Sequence, residues 1–68
     1  QVDGAITRYR TLLSLNPPNP SDTHFRLARL LRQGGKTGEA RRHVLQALEE
    51  APRFREALDL LLQMQGTN

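Results

Sequence analysis

SDTHFRLARLLRQGGKTGEARRHVLQALEEAP, residues 21–52, is the stretch whose reading decides the fold. It opens on Ser21-Asp22, residue types that cap helix N-termini by accepting a hydrogen bond from a free backbone N–H. His24, Leu27, Ala28 and Leu31 then recur at three- and four-residue spacing, which places them on one face of a helix reaching Arg32. Gly34-Gly35 ends it, because a helix C-terminus favours a residue that tolerates positive φ. Thr37 can cap a second helix, with Glu39 well placed against its N-terminal dipole. Ala40, Val44, Ala47, Leu48 and Ala51 line one face of that helix, and Pro52 closes it.

Outward from this centre the same pattern continues. Residues 2–15 form a helix on the stripe Val2, Ala5, Ile6, Tyr9, Leu12 and Leu13. The run Asn16-Pro17-Pro18-Asn19-Pro20 stops it, since proline cannot continue the hydrogen-bond ladder. Residues 54–65 form a fourth helix with Ala57, Leu58, Leu61 and Leu62 facing inward, and residues 66–68 form a frayed end. Loops of two to six residues between helices this short make chain neighbours antiparallel.

Composition agrees with an all-α chain. The 37% hydrophobic share is mostly Leu and Ala, which favour helix, while β-branched residues are few. A chain of 68 residues buries only about 60% of its unfolded surface, so it must be a compact helical unit or a piece of something longer. The chain begins at Gln1, and it is expected to be cut from a larger protein. There is no Cys, which excludes disulfides and thiolate metal sites. No apolar run approaches the roughly 18 residues of a membrane span, no signal peptide is evident, and a cytoplasmic location is favoured. The net charge of +3 is carried almost wholly by Arg, without the dense basic runs of a nucleic-acid arm.

The sequence also repeats. A shift of 35 residues sets Ala5, Tyr9, Leu12 and Leu13 on Ala40, Val44, Ala47 and Leu48, and Pro17 on Pro52. A shift of 34 sets His24, Leu27 and Ala28 on Leu58, Leu61 and Leu62. These periods, with Gly35 at the turn and His24, Leu27, Ala28, Ala40, Val44, Ala47, Leu48 and Pro52 at their intervals, resemble the tetratricopeptide repeat. His24, Leu31 and Val44 stand where that family commonly has larger aromatic residues. The resemblance implies a right-handed α-solenoid fragment of four helices. Residues 1–17 would be the second helix of a partial repeat and 21–52 one complete repeat. Residues 54–65 would be the first helix of a third repeat, or a cap helix. It also implies packing roles: Ala28, Ala40 and Ala47 allow close helix approach, while Leu27, Leu31, Val44 and Leu48 fill the space between.

Chemistry-bearing motifs are weak. Gly35-Lys36-Thr37 is not a phosphate loop, because Leu30 stands where a Gly is required and a helix precedes it. His24 is read as a packing residue and His43 as part of a polar face beside Arg41-Arg42, so neither is expected to ligate a metal. Asn19-Pro20-Ser21 is excluded as a glycosylation site by its central proline. No nucleophile–base set stands out, so catalytic residues, metal sites and cofactors are all expected to be absent.

The informative charged set lies on the second helix. Phe25, Arg29, Arg32 and Gln33 share one side and Arg26 is adjacent. In the family this helix lines a concave groove, and the resemblance sets Asp59 and Gln63 of the fourth helix beside it. Those seven residues are the candidate peptide-binding set. The expected activity is non-catalytic protein–protein interaction or scaffolding, with an acidic or extended peptide in the groove. The alternatives are nucleic-acid binding through the Arg-rich helix and a purely structural spacer. The interspersed acids weigh against nucleic acid. Weak self-association through the apolar stripe of the N-terminal helix is also expected.

Overall fold

The computed structural model describes residues 1–65. They form four α-helices and no strand: α1 (Val2–Ser14), α2 (Pro20–Gln33), α3 (Thr37–Glu50) and α4 (Arg55–Gln65). The expected frayed end, residues 66–68, lies outside the described residues.

Each helix packs mainly on its chain neighbours, most extensively α2 on α3, then α1 on α2 and α3 on α4. The slab that results is only 14 Å in its thinnest dimension, so its core is thin. That core consists of Ile6, Leu27, Ala28, Leu31, Ala40, Val44, Ala47, Ala57, Leu60 and Met64. The alanines belong to its most enclosed positions: Ala28, Ala40, Ala47 and Ala57 are wholly buried. Small side chains let helix backbones approach, and Leu27, Leu31 and Val44 occupy the volume around them.

The helix ends show how local chemistry sets the boundaries. Asn19, not Ser21, caps α2: its side-chain oxygen accepts from the Asp22 N–H, and Pro20 occupies the first helical position. Proline suits that position because its missing N–H would have no partner there. At the other end Gly35 adopts φ +82°, the Lys36 N–H donates to Leu31 O at 2.8 Å, and the Gly35 N–H donates to Arg32 O. This pair of bonds is the Schellman closure, and it makes Lys36, not Thr37, the N-cap of α3. Asn16 reaches the same left-handed region after α1, at φ 55°, with its N–H on Leu13 O. The next residue is Pro17, which has no N–H, so only half of that closure forms.

Two expected stripes are corrected. In α4 the buried residues are Ala57, Leu60 and Met64, whereas Leu58 and Leu62 are exposed and Leu61 is half-buried. The leucines at 58, 60, 61 and 62 surround much of the helix, and contact with α3 selects the Ala57–Leu60–Met64 side. In α1 Ile6 is buried and Val2, Tyr9 and Leu13 pack against the core, but Leu12 is exposed.

Candidate functional site

The α2 backbone turns about 100° per residue, so positions 25, 29, 32 and 33 share a side and position 26 lies at its edge, about 20° beyond 33. Phe25, Arg29, Arg32 and Gln33 of α2 line a cleft of about 460 Å³ with Glu56, Asp59, Leu60 and Gln63 of α4. Six of the seven residues anticipated from the sequence are thus brought together. Arg26 is not among them. It lies toward α1 in a hollow with Tyr9 and Leu30, and its Nε donates to Asp22 Oδ2 at 2.8 Å. That hydrogen bond and the adjacent negative charge hold the Arg26 guanidinium above its ordinary range.

The sequence did not mark Glu56 and Leu60. They sit three residues before and one after Asp59, and with Gln63 they make a single i, i+3, i+4, i+7 face. That periodicity was the signal available. Phe25 is half-buried and packs on the core. Its ring meets Phe54 at a centroid distance of 5.0 Å, and the Arg29 guanidinium carbon stands 5.7 Å from its centroid. An aromatic pair of this kind fixes the floor, and the cation–π contact fixes Arg29 over it.

The cleft has walls of opposite charge. Arg29 and Arg32 stand on α2, Glu56 and Asp59 on α4, and no ion pair joins them. Instead, Arg32 Nη1 donates to Gln63 Oε1 at 2.8 Å across the cleft. The ion pairs among the described residues lie elsewhere: Arg10–Glu39 at 2.6 Å links α1 to α3, and Arg26–Asp22 is local to α2. Both are surface pairs of small energetic weight.

The histidines, read separately from the sequence, form one unit. His43 is half-buried and does not belong to a polar face. Its Nδ1 lies 2.9 Å from His24 Nδ1, with the rings stacked at 5.1 Å. One ring must donate and the other accept, so two imidazolium ions cannot keep this contact. Burial pushes His24 below its ordinary 6.5, with Glu50 opposing. Burial does the same to His43, helped by His24, Arg10 and Arg42 and opposed by Glu39. As pH falls through 6.5 the unfolded chain takes up protons before the folded one does. Stability from the pair is therefore full above 6.5 and is lost as pH falls through the lowered folded values. Urea midpoints are expected to drop below pH 6.5 in the native chain, and His24→Leu is expected to flatten that part of the profile. An unchanged slope in the variant would remove the pair as its cause.

Among the described residues no cluster of three or more His, Asp or Glu is placed to hold a metal ion, and no helix is long and apolar enough to cross a membrane. No known family model matches the chain, and neither a curated protein nor a solved structure is significantly similar to it.

Proposed function

We propose that the chain is a non-catalytic peptide-binding module of tetratricopeptide-like construction, and that its ligand lies extended in the α2/α4 cleft. The observation that carries this reading is the juxtaposition of unpaired opposite charges over an aromatic floor. Arg29 and Arg32 face Glu56 and Asp59 above Phe25 and Leu60. Arginine forks recognise carboxylates, the acids recognise Lys or Arg, and the amides of Gln33 and Gln63 can pair with a peptide main chain. The acidic wall also modifies the expectation of a purely acidic ligand. A segment carrying both signs fits better, and nucleic acid, with phosphates alone, fits worse.

The test is fluorescence anisotropy with three labelled extended peptides of equal length: acidic, basic, and mixed in sign. The mixed peptide is expected to bind most tightly. Arg32→Glu is expected to weaken it about tenfold or more, because a hydrogen bond to a charged group contributes about 1.5–3 kcal/mol. Equal binding of all three peptides, or no loss in Arg32→Glu, overturns the reading.

A further inference from the structure

The helices use their faces in a repeating way, and the repeat leaves two faces open. α4 turns Ala57, Leu60 and Met64 inward. The 34-residue shift sets these on Thr23, Arg26 and Leu30 of α2, and Arg26 and Leu30 border the hollow shared with Tyr9 of α1. So α4 meets α3 with the side on which α2 meets α1. The other side of α2 carries His24, Leu27 and Ala28, and it faces α3, as the His24–His43 contact shows. Its counterpart on α4 is Leu58, Leu61 and Leu62, where Leu58 is 42% and Leu62 64% exposed.

The complementary face lies on α1. The 35-residue shift sets Leu12 and Leu15 on Ala47 and Glu50 of α3, the helix that covers α2. Leu12 is 40% and Leu15 70% exposed. With Leu45, these four leucines are the large apolar side chains most open to solvent among the described residues. They fall at the two ends of the slab, on the two halves of an interface whose filled version is α2 on α3.

We propose that this chain associates head to tail, the α1 face of one copy seating on the α4 face of the next as α3 seats on α2 within the chain. Because α2 and α3 run antiparallel, Leu12 and Leu15 of the second copy, in the places of Ala47 and Glu50, then stand toward Leu58, in the place of His24, on which Glu50 acts. Leu62, in the place of Ala28, stands toward Ala5. Leu62 in the place of Ala28 holds the two helices farther apart than in the α2/α3 joint, toward the upper end of the usual 8–10 Å spacing. The two faces differ, so the contact is heterologous and leaves one free face at each end; association continues past the dimer.

Light scattering and sedimentation on the native chain, at concentrations rising to about 1 mM, test this in the regime of small weak interfaces. The mean mass is expected to climb past twice the single-chain 7.7 kDa. Leu12→Glu and Leu62→Glu each block one face at an exposed position, so both are expected to keep native helicity by circular dichroism and to remain single chains alone. Mixed in equal amounts they are expected to form a two-chain particle and nothing larger, through α4 of the first and α1 of the second. A native chain that stays single at the highest concentration overturns the proposal and assigns the faces to a different partner. So does association that Leu12→Glu abolishes and Leu62→Glu leaves intact, which would mean α1 pairing with α1. A mixture that remains wholly single-chain also overturns it.

Discussion

Leu27→Ala is expected to remove about 2–5 kcal/mol of folding free energy, the range for truncating a fully buried leucine. Leu27 is wholly buried on α2, the helix that packs on both α1 and α3. Its loss therefore leaves a cavity at the centre of a thin core with little capacity to collapse around it. A chain of this length has a total stability of roughly 3–10 kcal/mol, toward the lower end because small domains bury a smaller fraction of their surface. The substitution is thus expected to consume a third or more of the whole and to lower the thermal midpoint by at least about 10 °C. Leu62→Ala, on an exposed leucine of α4, is expected to stay within about 0.5 kcal/mol when measured on dilute protein. Urea titrations followed by far-UV circular dichroism measure both. Similar losses at the two positions would mean that the core is not organised around α2.

The centre of the chain was the most legible part of the sequence. Leu27, Ala28, Leu31, Ala40, Val44 and Ala47 are all buried, because α2 and α3 are enclosed by neighbours and their apolar stripes can serve only one purpose. α4 was less legible for a physical reason. Four leucines within five positions offer several apolar faces, and only contact with α3 distinguishes Leu60 from Leu58 and Leu62. The cap of α2 was hidden by Pro20, which reads as a breaker yet serves as the first helical residue. The cleft could be found because residues on α2 share a face by spacing, and the resemblance to the tetratricopeptide repeat implies that Asp59 and Gln63 lie beside them. The His24–His43 contact could not be found in this way: it joins residues 19 apart on different helices and depends on their mutual rotation.

Ala40→Leu and Ala5→Leu test whether the internal repeat in sequence has a counterpart in packing. The two alanines are related by the 35-residue shift, but their surroundings differ. Ala40 is wholly buried in α3, which makes its most extensive contact with α2, and no space exists there for three more carbons. Overpacking of this kind costs about 1–3 kcal/mol through displaced rotamers and backbone shifts. Ala5 is half-buried on α1, on the side that corresponds to the α2-facing side of α3, where no described helix seals it. Leucine is nearly as good a helix former as alanine, so Ala5→Leu is expected to change stability by no more than about 0.5 kcal/mol in dilute solution. The contrast requires both measurements at low concentration, since Ala5 also borders the face proposed to receive a second copy. Added bulk at that face is expected to change the mass reached at high concentration while leaving the dilute unfolding midpoint in place. Equal destabilisation by the two substitutions would show that α1 is as enclosed as α3, and the open face on which head-to-tail association depends would not exist.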